Sequence, residues 1–337
     1  MRTRFLNQIA LAYLGTFVLF AAVSAYSPGF ASPSHIRTLL VVAAFTGIAA
    51  LGQTLVIIGG GIDLSVPWTM SCVGMLVTAL SRNDSVALVW AMPLILGGGA
   101  LVGVVNGLGV TKLKVPPIVM TLATNVVLQG LLLIATAGFP PPPAPAALQY
   151  LASGRLAGVP VVVLLWAALA AAVLATERVT SFGRYLYAVG SSRPVAMVSG
   201  VPVTRTVIAT YVVSGMAAAL TGMLLAGYAK QSYLGMGDPY LFTTIAAVAI
   251  GGASILGGSG SYLGTIAGAL MLTVLTGFLP VFRLDSGALK VIYGVVILAT
   301  VALGTPRLAG WLRRWRRNNP PAPTITQEAE RVTSRSV

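Results

Sequence analysis

The sequence contains few charged residues. Only 8% of its 337 residues are Asp, Glu, Lys or Arg, whereas 56% are hydrophobic, and the mean hydropathy is +0.89. A soluble domain has roughly 25% charged residues. The composition therefore argues against a soluble fold, and the length accommodates about ten membrane spans of roughly 20 residues each.

Cysteine and histidine are nearly absent, which limits the chemistry open to the chain. Cys72 and His35 are the only residues of their types, so the sequence offers neither a disulfide framework nor a thiolate metal site. It also lacks His-Glu-x-x-His, Gly-x-Ser-x-Gly and a close pair of carboxylates in an apolar segment, which a membrane hydrolase or metalloenzyme would need. We therefore predict that the protein is not an enzyme and has no catalytic residue, metal ligand or cofactor.

Negative charge is also scarce, because 21 Lys and Arg stand against 7 Asp and Glu, for a net charge of +14. In a soluble protein such an excess would suggest nucleic-acid binding. Here the basic residues lie at the ends of apolar segments and in the C-terminal tail, without the interleaved aromatic residues that single-strand binding requires. We predict no nucleic-acid partner and attribute the charge to the positive-inside rule for proteins in the lipid bilayer.

Long apolar runs predict an all-α integral membrane protein with about ten transmembrane helices. The third and eighth runs are short and flanked by glycines, so we predict broken or re-entrant helices there, facing protein or a water-filled cavity. Whether 241–256 crosses the membrane or re-enters stays open. The predicted spans lie near residues 8–26, 38–58, 66–81, 86–109, 117–137, 158–175, 205–228, 241–256, 262–282 and 287–304.

The distribution of basic residues predicts the orientation of the chain. The N-terminus resembles a signal peptide but lacks a good cleavage site, so we predict an uncleaved first span. An even number of spans places both termini on one side, and the inner loops then carry about twice as many Lys and Arg as the outer loops. We predict a membrane domain over 1–310 with a cytoplasmic loop at 176–204, and a basic, disordered cytoplasmic tail over 311–337.

The segment 59–67, Gly-Gly-Gly-Ile-Asp-Leu-Ser-Val-Pro, follows the second span. Its glycines free the backbone, while Asp63 and Ser65 can cap the next helix and Pro67 is tolerated in a first turn. Asp63 is therefore either a carboxylate that lines a transport pathway or only a helix cap, and both interpretations stay open. Asp238 follows the seventh span in the same way, which would fit two inverted repeats.

Polar side chains collect at particular positions within the apolar spans. Thr121, Asn125 and Gln129 have the i, i+4, i+8 spacing that places them on one face of a helix. Such a stripe either lines a path for a hydroxyl-rich solute or forms hydrogen bonds between helices. The candidate pathway residues are Gln53, Thr54, Asp63, Ser65, Asn106, Thr121, Asn125 and Gln129.

Glycine is concentrated between residues 244 and 264. A phosphate cradle is excluded because no Gly-Lys-Ser/Thr follows and the surroundings are not strand–turn–helix. Small residues instead let helix backbones approach closely, so we predict tight helix packing and a re-entrant turn. The candidate packing residues are Gly251, Gly252, Gly257, Gly258, Gly260 and Gly264.

The stretch 177–205 is the only long polar, basic segment between apolar runs. Its serines and Pro194 predict the start of a short helix over 194–199, which Gly200 ends. Such a helix suits docking into a groove of a soluble partner, although a solvated connector at lipid headgroups is the alternative. Ion-coupled carriers usually need buried carboxylates or charge relays, and these spans contain almost none, so an ATP-hydrolysing partner is the simplest energy source.

Several stretches together resemble the permease subunit of ribose-type sugar ABC importers, over about residues 36–304. Each is weak alone, but their order and spacing are specific. Two departures are Pro67, where the family commonly has Gly, and Arg193-Pro194-Val195-Ala196-Met197, where it often has Asn-Pro-Glu-Ala-Ala. The matching stretches are 51–56, 61–66, Val105-Asn106-Gly107, Pro117-Ile118-Val119-Met120-Thr121-Leu122-Ala123-Thr124, 183–190, 245–248, 251–254 and 257–260.

The resemblance implies a permease of the bacterial inner membrane that imports a monosaccharide by alternating access. It implies three protein partners: a cytoplasmic ABC ATPase, an extracytoplasmic sugar-binding protein and a second permease subunit, identical or paralogous. It also implies that 190–201 enters the ATPase as the coupling segment. A branched-chain amino-acid permease and a secondary sugar carrier are the alternatives. The candidate coupling residues are Arg184, Gly190, Ser192, Arg193, Pro194, Ala196 and Gly200.

Overall fold

The computed structural model describes residues 2–139 and 141–278, together with 287, 290–292, 294, 295 and 298. This part of the chain is almost entirely helical, with one 3₁₀ turn (Pro28–Ala31) and a hairpin of two short strands, β1 (Arg155–Leu156) and β2 (Val159–Pro160). The helices are α1 (Arg2–Tyr26), α2 (Pro33–Ile58), α3 (Val66–Ser81), α4 (Leu88–Thr111), α5 (Pro117–Thr136), α6 (Ala146–Ser153), α7 (Val161–Val179), α8 (Ser181–Ser191), α9 (Arg193–Val198), α10 (Val203–Tyr228), α11 (Tyr240–Ile250) and α12 (Tyr262–Phe278).

Helices occupy the first nine of the predicted spans, which confirms a multi-pass helical membrane protein. Six are long and apolar enough to cross a bilayer, namely α1, α2, α4, α5, α7 and α10. The predicted short elements are also present as the shorter apolar helices α3 and α11, and α12 is short as well. Most of the predicted tenth span and all of the tail over 311–337 lie outside the described residues.

The break between α2 and α3 follows from the local sequence. Gly59 ends α2, and Gly60 has φ +78, a conformation that residues with a Cβ rarely adopt. The chain leaves the helix for seven residues, and α3 then begins at Val66 with Pro67 in its first turn, where a missing N–H costs nothing.

The centre of the bundle is built on α2 and α10, each 26 residues long. α2 is buried over almost its whole length, whereas α4 and α5 expose many large apolar side chains on their outer surfaces. Close backbone contact between α4 and α10 depends on glycine: a Cβ at Gly103 would meet the carbonyl of Tyr211, and one at Gly99 would meet the carbonyl of Gly215. The glycines of α4 therefore let this helix pack with its backbone directly against that of α10.

The loops define two ends of the bundle. At one end the backbone N–H of Ala144 donates to the Lys230 carbonyl (2.9 Å) and Thr78 bonds to Ser232 (2.8 Å). This end, which we call the outer end, contains residues 82–87, 137–139, 141–160 and 229–239. It includes α6 and the β hairpin, which the sequence pattern did not indicate.

The inner end carries α8 and α9. Here the N–H of Gly258 donates to the Ile58 carbonyl (2.9 Å), and the Tyr187 hydroxyl donates to the Gly260 carbonyl (2.8 Å). The end of α2, the end of α8 and the irregular segment 251–261 therefore meet at one place. α2 runs towards this end and α10 runs away from it.

Candidate functional site

Asp63 is the centre of a buried polar network in the break between α2 and α3. Its side chain is 2% exposed. Oδ1 accepts hydrogen bonds from the Ser65 N–H (2.9 Å) and hydroxyl (2.6 Å), and Oδ2 accepts one from the Ser214 hydroxyl on α10 (2.7 Å). A carboxylate is costly to bury unless it is hydrogen-bonded, and three donors meet that need here.

The network continues from Ser65 to α4 and α5. Asn106 donates from Nδ2 to the Ser65 hydroxyl (2.9 Å), and its Oδ1 accepts from the Thr124 hydroxyl (2.7 Å). Both Asn106 and Thr124 are buried. The network thus joins the break to three surrounding helices, which fixes the irregular backbone at membrane depth.

The predicted polar stripe of α5 faces the same break. The Thr121 hydroxyl accepts from the Leu64 N–H (3.0 Å), and Asn125 Oδ1 accepts from the Trp68 N–H (3.3 Å) at the start of α3. Gln129 lies further along α5 and is half-buried. Two of the three stripe residues therefore satisfy backbone donors of the break.

The prediction that Ser65 caps α3 through its side chain is wrong. Ser65 occupies the N-cap position, but its side chain makes no capping bond; its hydroxyl oxygen accepts from Asn106 and its proton goes to Asp63. Asn125 from a neighbouring helix accepts a first-turn N–H instead. Asp63 accepts from the N–H of Ser65, the N-cap residue, and not from an N–H in the first turn of α3.

Gln53 and Thr54 lie on α2 and make no hydrogen bond to this network. The Thr54 hydroxyl donates to the Ala50 carbonyl (2.6 Å) and pairs with the Thr265 hydroxyl of α12 (2.9 Å). Gln53 is fully buried, and neither its Oε1 nor its Nε2 has a hydrogen-bond partner among the described residues. Such an amide is unusual in a folded protein.

The glycines predicted to pack helices lie in two different settings. Gly251 and Gly264 face each other where α11 meets α12, since a Cβ on either would meet backbone atoms of the other. Gly252, Gly257, Gly258 and Gly260 instead belong to the irregular segment 251–261, and all four have positive φ. These four glycines allow the backbone conformations with which the segment connects α11 to α12.

Glu177 is a site residue that the sequence reasoning missed. It is 7% exposed near the end of α7, accepts from the Ser261 hydroxyl (2.9 Å) and accepts from the Tyr262 N–H (3.0 Å). A carboxylate there satisfies a first-turn donor of α12 and interacts favourably with the helix dipole. The sequence signal that could have indicated Glu177 is the rarity of acidic residues, of which the chain has only 7.

The predicted short helix is present as α9, displaced by one residue, and Gly200 beyond it has φ +77. The predicted serine cap is wrong, because Ser192 makes no side-chain capping bond and the Ser191 hydroxyl donates to the Tyr187 carbonyl (2.8 Å). Ser192 is half-buried at the cap position and Pro194 is exposed in the first turn of α9.

α9 has one buried and one exposed side. Ala196 is 3% exposed and packs in a cluster that contains Val189 and Tyr211. Val195, Met197 and Val198 lie outward, and the last is 86% exposed. Arg193 begins α9 and is half-buried, whereas Arg184 lies on α8, is exposed and donates from Nη2 to the Ser181 hydroxyl (2.9 Å).

Gly190 joins α8 to the rest of the inner end. A Cβ at this position would meet the Ile58 carbonyl and would lie 2.6 Å from the Gly258 nitrogen. The backbone of α8 therefore lies against the end of α2 and the segment 251–261, and a Cβ at Gly60, in the break, would come within 3.8 Å of the Gly190 Cα. Among the described residues, no group of His, Cys, Asp or Glu could hold a metal ion.

Comparison with known proteins gives a consistent set of relatives. A family profile described as "Branched-chain amino acid transport system / permease component" matches residues 35–301. The ribose import permease RbsC of Bacillus subtilis is 35% identical over 88% of this chain and 92% of its own length, and RbsC of Escherichia coli K12 is 32% identical over 86% and 91%. The autoinducer 2 import permease LsrD of Photorhabdus laumondii is 29% identical over 80% and 84%. No solved structure matches the chain.

Proposed function

The chain belongs to the branched-chain amino acid transport system permease family, and from that premise we propose that it imports a monosaccharide as the membrane subunit of an ATP-binding cassette transporter. A permease of this family moves a solute and is not an enzyme. The ribose import permeases, similar over most of their length, support a ribose-type sugar as the solute.

The observation that carries the proposal is the surface of α9. Its outward side chains Val195, Met197 and Val198 are apolar and exposed at the inner end. A short amphipathic helix with such a surface suits a hydrophobic groove of a soluble protein. We assign that groove to the ATPase subunit.

Movement of α9 would reach the membrane interior through α8. Gly190 contacts the Ile58 carbonyl at the end of α2 and the Gly258 nitrogen in the segment 251–261. Backbone groups in such close contact cannot move independently. A displacement of α8 and α9 by the ATPase would therefore shift both irregular segments, which is a physical basis for alternating access.

The polar residues around the break would form the wall of the path. Asp63, Ser65, Asn106 and Thr121 hold the segment 59–65 in place. Gln53 differs, because its buried amide has no partner among the described residues and so retains hydrogen-bonding capacity for a hydroxyl-rich solute in another conformation. Asn125, Gln129 and Thr54 complete the proposed wall.

Orientation and partners follow from the charge at the two ends. The inner end carries more basic residues, so we place it in the cytoplasm, with the outer end facing a sugar-binding protein. The opposite directions of α2 and α10, each followed by an irregular segment and a short helix, support two inverted repeats. A second permease subunit would complete the transporter. Among the described residues, the inner ones are Arg2, Arg4, Lys112, Lys114, Arg178, Arg184, Arg193 and Arg205, and the outer ones are Arg37, Arg82, Arg155, Lys230 and Lys290.

Import of a branched-chain amino acid is the second candidate. The description of the matching family names that solute class, whereas the two RbsC relatives are ribose permeases. The two candidates share the ATPase, the coupling segment and the mechanism. They differ in the solute, so an uptake assay must include both.

The proposal is tested by purifying the tagged chain from its native membrane and identifying the proteins that accompany it. The recovered complex is then placed in vesicles, and ATP-dependent uptake of labelled D-ribose and L-leucine is measured. We expect an ATPase, a solute-binding protein and ribose uptake. Uptake without ATP would contradict the proposal, and uptake of leucine alone would support the second candidate.

Variants of α9 test the docking surface directly. Val198→Asp places a charge in the proposed interface, and we expect it to lower recovery of the ATPase about tenfold or more, as a central contact would. Arg193→Glu should abolish coupling while membrane insertion is retained. Val86→Asp is the matched control, because Val86 is 75% exposed at the outer end. Normal transport by both α9 variants would exclude this surface.

A further inference from the structure

A cavity of about 660 Å³ opens at the outer end of the bundle. It lies between α2, α10, α11 and α12, and the loop 229–239 forms part of its rim. Its volume is typical of small-molecule sites. The residues that line it include Thr46, Tyr228, Tyr233, Asp238, Phe242 and Thr273.

The walls combine aromatic rings with groups that accept hydrogen bonds. Tyr233 and Phe242 are about half exposed, at 52% and 44%. The hydroxyls of Thr243 and Thr273 donate to the Pro239 carbonyl (2.6 Å) and the Ala269 carbonyl (2.8 Å) in their own helices. Because their protons are already used, these hydroxyls offer only acceptor lone pairs to a ligand.

Asp238 adds a carboxylate to this acceptor-rich wall. It is exposed at the rim, where its N–H donates to the Gly235 carbonyl (3.0 Å). Burial raises the pKa of Asp238, and the positive charge of Lys290, which also lines the cavity, lowers it. A wall of carboxylate and threonine acceptors suits a ligand with many O–H donors, and the aromatic rings suit its C–H faces.

The cavity is closed towards the inner end by contacts of small residues. A Cβ at Gly268 would meet the carbonyl of Ala247, so α11 and α12 lie backbone to backbone below it. Thr54 gives its proton to Ala50, so Thr265 donates in the bond of 2.9 Å that joins α12 to α2. Apolar side chains, among them Ile57 and Leu272, pack in the same region, and a separation of α12 from α2 would open the seam.

We propose that this cavity is a low-affinity monosaccharide subsite, in which Asp238 accepts hydrogen bonds from sugar hydroxyls, Tyr233 and Phe242 contact the sugar's apolar face, and the Thr54–Thr265 pair forms the inner gate. The inference rests on the proposed function and assigns the place where sugar released at the outer end first meets the permease. The one described cation in the lining, Lys290, has its charge opposed by that of Asp238, so the site has no net positive charge and disfavours an anionic ligand.

The first test compares variants in the reconstituted transporter. We expect Asp238→Asn and Tyr233→Ala each to lower the sugar transported per ATP hydrolysed about tenfold, the loss expected when a hydrogen bond to a charged group or a stacking contact is removed. Asp84→Asn is the matched control, an outer-end aspartate that does not line the cavity. Unchanged ratios in both cavity variants would overturn the subsite. A wild-type complex that transports sugar without ATP would overturn the proposed function instead.

A labelling experiment keeps the inference testable if those variants fold poorly. Ala229 is exposed and lines the cavity, so Ala229→Cys in a Cys72→Ser background can be labelled with a maleimide. We expect millimolar D-ribose to slow this labelling and not that of Val86→Cys. Equal labelling with and without ribose would overturn the subsite, and protection by L-leucine but not ribose would overturn its assignment to sugar.

Discussion

At the scale of single residues, Asp63 shows how a buried carboxylate can hold irregular backbone in place. Its three hydrogen-bond donors come from the break itself and from Ser214, which lies 151 positions away on α10. Because both oxygens are occupied, the side chain links two elements of the wall. We infer that its part in transport is to position the segment 59–65.

Substitution of Asp63 separates position from charge. Asp63→Asn keeps an acceptor for Ser65, and Ser214 can reverse its hydroxyl to accept from the new amide, so we expect folding and most of the uptake to survive. Asp63→Ala leaves those donors without a partner and should destabilise the fold by about 1–3 kcal/mol. Thermal unfolding in detergent and vesicle uptake measure the two effects. A folded Asp63→Asn protein without uptake would instead show that the charge is required.

At the scale of elements, the arrangement of α8 against the two irregular segments decides how motion can spread. α8 ends at Ser191, and Gly190 in its last turn lies against backbone atoms of Ile58 and Gly258. Side chains could yield at such a contact, but backbone cannot. The backbone contact of α8 with Ile58 and Gly258 exists only while residue 190 is glycine, because a Cβ there would push α8 away.

Gly190→Ala tests this contact. The added methyl group would force α8 away from α2, so we expect a loss of about 1–3 kcal/mol in stability, as overpacking gives, together with reduced ATP-driven uptake. Gly130→Ala in α5 is the matched control, because nothing lies within 4 Å of its new Cβ, and it should be neutral or stabilising by about 0.5–1 kcal/mol. If Gly190→Ala behaved like Gly130→Ala, the contact would have no role in coupling.

At the scale of the whole molecule, the two ends of the bundle differ in chemistry. The inner end presents α9 and most of the basic residues that the structure describes, while the outer end presents the cavity. A transporter that receives solute on one side and an ATPase on the other requires such a division. The orientation proposed above makes it testable in intact cells.

The topology can be tested by cysteine labelling, because only one native cysteine has to be replaced. In a Cys72→Ser protein, Val86→Cys and Val198→Cys introduce thiols at exposed positions of the two ends, 75% and 86% exposed as valines. We expect a membrane-impermeant maleimide to label Val86→Cys in intact cells and Val198→Cys only after the membrane is opened. The reverse pattern would place α9 outside and exclude a cytoplasmic ATPase as its partner.

The sequence by itself determined the helices of the first nine predicted spans, their approximate ends and the break after Ile58, but not α6 or the β hairpin. Hydropathy and the conformational freedom of glycine act over a few neighbouring residues, so a local pattern is enough to predict α2, the short α3 and the short helix near Pro194. It also indicated which polar residues are rare within the spans, and Asp63, Asn106 and Thr121 belong to one network in the structure.

Only the tertiary structure decided which polar groups meet. Ser214 bonds to Asp63, Thr265 to Thr54, and Glu177 to Tyr262, partners separated by 151, 211 and 85 positions. Such pairs depend on how helices cross, and no local pattern encodes that crossing. The outer cavity has the same origin, because its walls come from four helices that the packing of small residues brings together.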